Sequence, residues 1–273
     1  MVIHMKVVIL QPFYFPWIGY FGMIDVADIF VFADDVQFVK QSWQRRNRIK
    51  TTDNKAKWIT VPVNKNFGQM INEVSINNSI TYKQKNKVLN WKEKHWDLIS
   101  SSYAKAPYFD DYKDDIEEIF TRDWELLVDL DIYINEKISK LLRLKIPHFI
   151  KLSDMDGLDG RKVDSILNIC DYLGADVYIS GPAARNYIDY NEFQKFKQKN
   201  VDLYWFEFPH PVYPQIGADF IPYLSAIDLL FNTGGKSRDY IRMSYGNYLQ
   251  KEDGKSFENE SIEDDNILLD VSE

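Results

Sequence analysis

The stretch VVILQPFYFPWIGY, residues 7–20, decides the fold. Its first four residues form a continuous apolar run, as a strand buried on both faces requires. The run stops at Gln11. Two prolines, a glutamine and a glycine then stand among aromatic side chains up to Tyr20. An apolar segment with helical spacing, Ile18 to Ala27, follows, and a second apolar run, Ile29 to Ala33, follows that. Strand, loop, helix and strand within about thirty residues make a βαβ unit. In such a unit a ligand is expected outside the carboxyl end of the strand, where the aromatic loop lies.

Working outward, residues 36–51 and 57–63 are rich in strand-forming side chains and flank a polar turn, so they predict a β-hairpin appended to the core. Residues 64–69 read as a loop and 71–76 as a short strand. Residues 80–142 are expected to form a helical insertion, with helices at 82–101, 108–120 and 124–142. The α/β pattern then resumes. Strands are expected at 147–152, 176–180 and 201–206. Helices are expected at 161–173, 191–198, 221–231 and 236–249. The predicted fold class is α/β, with a Rossmann-like, mostly parallel sheet, a hairpin extension and a helical insertion. Residues 1–250 read as one domain.

Charge separates the tail from the body. The 273 residues carry a net charge of −8. Residues 251–273 hold nine acidic residues and two lysines, which leaves the first 250 close to neutral. The tail is expected to be disordered. A neutral body argues against non-specific nucleic-acid binding. The lone Cys170 excludes a disulfide within the chain, and four scattered histidines have no metal-ligand spacing. No segment reaches the roughly 18–20 apolar residues of a membrane span. No signal-peptide pattern opens the chain, and the expected location is the cytoplasm.

Four stretches carry candidate chemistry. Gln11, Asp34-Asp35 and Ser180-Gly181 each follow a predicted strand, so parallel pairing would bring them to one crevice. Tyr14, Trp17 and Tyr20 offer rings for a base or sugar. Gln37, Trp43, Arg46 and Asn47 lie in the hairpin arm. Arg46 and Arg185 present forks suited to phosphate or carboxylate, although Arg46 stands among other cations and also fits a solvated edge strand. Tyr213 and Gln215 follow His210. Asp34, Asp35 and His210 are the candidate proton acceptors, and Asp34-Asp35 also fits a simple turn. Gly234-Gly235-Lys236-Ser237 lacks the first glycine and the preceding strand of a phosphate loop.

With these residues in view, QPFYFPWIGYF (11–21), ADIFVFADDVQFVKQSWQRRNRI (27–49) and WITVPV (58–63) resemble the N-terminal half of the WbqC-like family. YISGPAARNYID (178–189) and HPVYPQIGADFIPYLSAIDLLFNTGG (210–235) resemble its C-terminal half. The resemblance implies an enzyme of bacterial surface-polysaccharide (O-antigen) biosynthesis. Such an enzyme would transfer an acyl or aminoacyl group, such as glycine, to the amine of a nucleotide-linked amino sugar. The implied partners are a nucleotide-linked sugar or other small molecule, with a homodimer left open. Acyl-CoA and ATP with magnesium are the candidate co-reactants. The placement of Trp17-Ile18-Gly19-Tyr20 is similar to the His-x-Gly-His motif of nucleotidylyltransferases, with Trp and Tyr at the histidine positions. An adenylate-forming ligase and a non-catalytic nucleotide-sugar scaffold are the alternatives.

Overall fold

The computed structural model describes residues 4–84, 87–158, 160–246, 249–255 and 257. The chain runs β1 (Lys6–Leu10), α1 (Ile18–Val26), β2 (Ile29–Phe32), β3 (Arg46–Lys50), β4 (Ala56–Thr60), β5 (Val63–Asn64), β6 (Ser75–Ile76), β7 (Thr81–Gln84) and β8 (Lys87–Asn90). It continues α2 (Trp91–Tyr103), α3 (Phe109–Thr121), α4 (Leu127–Leu141), β9 (His148–Lys151), α5 (Val163–Leu173), β10 (Val177–Ser180), α6 (Tyr190–Gln198), β11 (Asp202–Phe206), α7 (Ala226–Thr233), α8 (Ser237–Tyr245) and β12 (Leu249–Lys251).

The central sheet has the order β12-β11-β10-β1-β2-β9. Five strands are parallel and only β12 runs antiparallel, against β11. The chain starts in the middle, builds outward through β2 and β9, then returns to place β10 and β11 on the other side of β1. The order therefore reverses between β1 and β10. In parallel sheets that reversal opens a crevice at the carboxyl ends, because successive connections leave on opposite faces.

Strand side chains alternate between two apolar cores, as the period of two dictates. Val8, Phe30, Phe32, Ile179 and Phe206 face the larger core beneath α1–α4 and α7. Val7, Val31, Tyr178, Leu203 and Trp205 face the smaller core beneath α5 and α6. Burial on both faces explains why β1, β2 and β10 read as unbroken apolar runs. Helix α1 is buried along nearly its whole length, with even Gly19, Gly22 and Asp25 inside. Asp25 is satisfied there by Arg242, by Tyr245 and by the Lys145 backbone.

Several elements differ from the expectation: residues 71–73 of the expected strand 71–76 form a 3₁₀ turn, the helix expected at 221–231 begins at Ala226, the one expected at 236–249 ends at Tyr245, and three further differences have a clear local cause. The expected helix at 82–101 begins only at Trp91, because Thr81–Asn90 pairs with itself as the hairpin β7–β8. Asn90 then caps α2 by accepting from the Glu93 backbone, while Glu93 bonds back to the Asn90 backbone. In the arm expected at 36–51, only Arg46–Lys50 is a strand. Residues 36–45 form turns held by bonds such as Gln44 Oε1 accepting from the Val39 N–H at 2.9 Å. The last strand, Leu249–Lys251, crosses residue 250, and Glu252 behind it accepts from the Trp205 indole at 2.6 Å. The rest of the acidic tail, from residue 258, lies outside the described residues.

Candidate functional site

The crevice at the strand reversal is framed by Gln11, which follows β1, and by Ser180 and Gly181, which end and follow β10. A Cβ built on Gly181 would meet nothing within 4 Å, so this edge is open. Gln11 is held in place: its Oε1 accepts from the side chain of the buried Gln44 at 2.8 Å, and its carbonyl accepts from the Tyr20 hydroxyl at 3.1 Å. Ser180 is buried, with the Tyr178 hydroxyl 3.4 Å from its Oγ.

The aromatic loop that leaves β1 is fixed from beneath. Phe15 takes a positive φ of 46°, unusual for a bulky residue. Its carbonyl accepts from the buried Asn47 side chain at 2.7 Å, which holds the strained turn. Tyr14 is fully buried and pairs with His95 Nδ1 at 2.8 Å. Because His95 Nε2 accepts from the Thr60 N–H, Nδ1 carries the proton of a neutral ring, and burial lowers its pKa to about 3. Burial, then the nearby Asp131, holds the Tyr14 and Tyr20 phenols neutral well beyond their usual range. Tyr14, Tyr20 and Asn47 thus shape the loop from inside.

Trp17 faces outward from that frame. Its ring folds back across Gly19, where any Cβ would lie only 2.2 Å from the indole. This close approach explains the glycine in Trp-x-Gly. Trp17 stacks on His210, with ring centroids 6.2 Å apart, and lies 5.5 Å from Tyr223. The Tyr223 carbonyl accepts from Arg48, which lies over both Trp43 and Trp58. Arg46 sits 4.4 Å above Trp58. Trp17, His210, Tyr223, Arg48, Trp43, Trp58 and Arg46 therefore form one continuous run of contacts. About 40–50% of Trp43, Trp58 and Tyr223 is exposed. Flat rings interleaved with guanidinium groups suit a sugar or base carrying negative charge.

The candidate proton acceptors differ in their freedom. Asp34 is buried, and Ser153 occupies both its oxygens through the backbone N–H at 2.9 Å and the hydroxyl at 2.6 Å. That pair ties the end of β2 to the segment after β9. Asp35 is exposed beside it. His210 Nε2 accepts from the Tyr223 N–H at 3.1 Å, so its Nδ1 donates to the Pro211 carbonyl at 2.9 Å. Both nitrogens are engaged by backbone, and burial lowers the ring's pKa.

Other sequence candidates lie elsewhere. Arg185 pairs with Glu207 at 2.8 Å and covers Trp205, on the rim beyond β10 and β11. Gln37 is exposed and bridges to Met70. Tyr213 and Gln215 turn inward to Asp228, donating at 2.9 and 2.8 Å. Tyr103 gives Asp228 a third bond at 2.9 Å. Lys50, fully buried, donates to Gln215 and to the Asp219 carbonyl. Burial dominates here too: the Asp228 carboxyl is raised to about 6 and the Lys50 ammonium is lowered.

Sequence reasoning missed Gln44, Arg48, Trp58 and Tyr223. Arg48 and Trp58 were within reach of it, because the hairpin places residue 48 opposite residue 58 on one face. Gln44 and Tyr223 had no local signal. Among the described residues, no group of three His, Cys, Asp or Glu side chains stands together as a metal site. No described helix is long and apolar enough to cross a membrane.

Comparison with known proteins places this geometry in context. Residues 11–240 match the model of the WbqC-like protein family. The chain is 32% identical over 243 residues to a protein of Mycobacterium tuberculosis named "Uncharacterized protein Rv1507c", covering 87% of this chain and 97% of that one. No solved structure matches.

Proposed function

The chain belongs to the WbqC-like protein family, and from that premise we propose that it is a transferase of surface-polysaccharide (O-antigen) biosynthesis. It would move an acyl or aminoacyl group onto the amine of a nucleotide-linked amino sugar. One observation carries this reading: the strand order reverses between β1 and β10, and Trp17, at the end of the loop that leaves β1, joins a run of rings and guanidinium groups that reaches the β3–β4 hairpin. The same order supports regarding the sheet as a Rossmann-like, nucleotide-binding one within a single α/β domain.

In this reading Gln11, Ser180 and the open backbone at Gly181 receive the ligand in the crevice. Trp17, Tyr223, Trp43 and Trp58 stack against the sugar or base, and Arg46 and Arg48 neutralise phosphate. Asp35 accepts the proton lost by the amine as it attacks the acyl carbonyl. It has this role because Ser153 occupies Asp34 and backbone groups occupy His210. Glycyl or acyl transfer from a thioester forms the amide C–N bond and breaks the C–S bond, and the thiolate leaves as a thiol with the proton that Asp35 took up.

A thermal-shift panel of nucleotide sugars, ATP and acyl-CoA tests this. A ligand at 100 times its Kd stabilises by about 2.7 kcal/mol. A nucleotide-linked amino sugar is expected to raise Tm in the wild type and to lose that effect in Gly181→Trp, whose new side chain fills the crevice. An unchanged shift in Gly181→Trp sinks the assignment. Pyrophosphate release from ATP with an amino acid favours a ligase instead.

A further inference from the structure

A cavity of small-molecule size lies away from the strand ends. It opens between the hairpins β3–β4 and β7–β8 and helix α2, with a volume of about 580 Å³. That is within the range of roughly 300–1,000 Å³ typical of small-molecule sites. Arg45, Lys57 and Lys94 line it. The one acid in the lining, Asp97, already accepts from Gln84 at 2.6 Å. His95 closes the floor as a neutral ring whose nitrogens are both engaged, so it adds no charge. Three cations therefore face one acid.

Two of these cations are held rather than neutralised. The Lys94 ammonium sits 3.5 Å over the Tyr82 ring, which fixes the head group in the cavity without an acid partner. Arg45 is anchored by backbone carbonyls, donating to Lys40 at 2.8 Å and to Val61 at 3.3 Å. Carbonyls orient a guanidinium but leave its charge in place. Among the described residues, no acid pairs with Arg45, Lys57 or Lys94. Burial, and then Lys57, depresses the Lys94 pKa; burial, and then Arg46, depresses that of Arg45. Like charges held together at a partly desolvated surface are stabilised by an anion, which removes their mutual repulsion.

We propose that this cavity is a second ligand site and binds a phosphate-bearing molecule, with Lys57, Lys94 and Arg45 on the phosphates and Trp58 at its mouth against the organic portion. A diphosphate carries the negative charge to offset these cations. The same chemistry occurs in free pyrophosphate, in a nucleoside triphosphate and in the phosphorylated adenosine of coenzyme A. The cavity meets the aromatic wall at Trp58, and the test separates binding here from binding at Gly181.

Isothermal titration of the full chain with pyrophosphate, ATP and coenzyme A, at low and at high salt, decides the matter. One equivalent is expected to bind, more weakly as salt rises. Lys57→Gln/Lys94→Gln should weaken binding by about a hundredfold, at about tenfold for each charged hydrogen bond lost. Gly181→Trp should leave it unchanged even if that variant abolishes nucleotide-sugar binding. A control pair far from the cavity, Lys197→Gln/Lys199→Gln, should also leave it unchanged. Tighter binding of ATP or coenzyme A than of pyrophosphate identifies the source of the phosphate and supports the site. Three results overturn the proposal: no binding of any probe, loss in Gly181→Trp but not in the lysine pair, or equal loss in the control pair.

Discussion

Two buried carboxyls, Asp228 on α7 and Asp131 on α4, sit on helices that both pack against α1 beneath the aromatic loop. Each is fully shielded from solvent. Asp228 takes bonds from Tyr103, Tyr213 and Gln215 and lies near the buried Lys50. Asp131 takes none, and neither does the carbonyl oxygen of Asn135, one turn further along α4. Burial raises both carboxyls above their ordinary range, to about 6 at Asp228, where three donors work against it, and well above the ordinary value at Asp131, where burial acts alone. The difference shows what donors do in an interior: they do not cancel desolvation, they limit how far it drives a group towards neutrality. The first centre is a completed network that fixes the segment after His210. The second is an uncompensated polar spot behind the loop.

Removing the completed centre should have the largest effect. Asp228→Ala leaves two phenols and an amide without their acceptor and removes the negative charge near the buried Lys50, and the loss is expected to be about 3–5 kcal/mol in urea unfolding. A loss below about 1 kcal/mol would erase the contrast between the centres. Next comes the bond that spans loop and hairpin. Asn47→Ala removes the donor to the strained Phe15 carbonyl and should cost about 1–3 kcal/mol. Loss of the Trp17–His210 stacking, read as a change in tryptophan fluorescence, should accompany it.

A third effect should have the opposite sign. The Asp131 carboxyl is raised in the native state, so the folded protein holds a proton that the unfolded chain releases above about pH 4. Its contribution is fully present below that pH and is lost as pH rises towards the native pKa. Asp131→Asn carries no titrating proton. The variant is therefore expected to lose less stability between pH 4 and pH 8 than the wild type, with little difference at pH 4. Parallel pH curves for the two proteins would show that Asp131 is solvated or paired.

These two centres also mark how much was legible in the residues. The apolar runs at 7–10, 29–32 and 177–180 announce doubly buried strands, and the aromatic loop announces a strand end. Asp131 and Asn135 were readable too, since they fall on the same face as Leu127 and Ile138 of an amphipathic helix. The hairpin at 81–90 was not read, because Tyr82, Val88 and Leu89 also fit a helical stripe; the Asn90–Glu93 cap was the competing signal. At the candidate site, sequence distance hides the assembly. Lys50 and Asp228 are 178 positions apart, as are Gln11 and its holder Gln44 by 33. Nothing local tells a tyrosine such as Tyr14, buried as scaffold, from one such as Tyr223, exposed on the wall.

The antiparallel strand Leu249–Lys251 has a consequence for handling the protein. It covers the open hydrogen-bonding edge of β11, whose sequence DLYWF is largely apolar. An uncovered edge of that kind is a template for pairing with another chain. Cutting the acidic tail after residue 250, where charge alone invites the cut, would shorten this guard strand and remove the Glu252 anchor with it. A truncation placed after Phe257 keeps both, so solubility in shortened forms depends on a three-residue strand rather than on the negative charge beyond it.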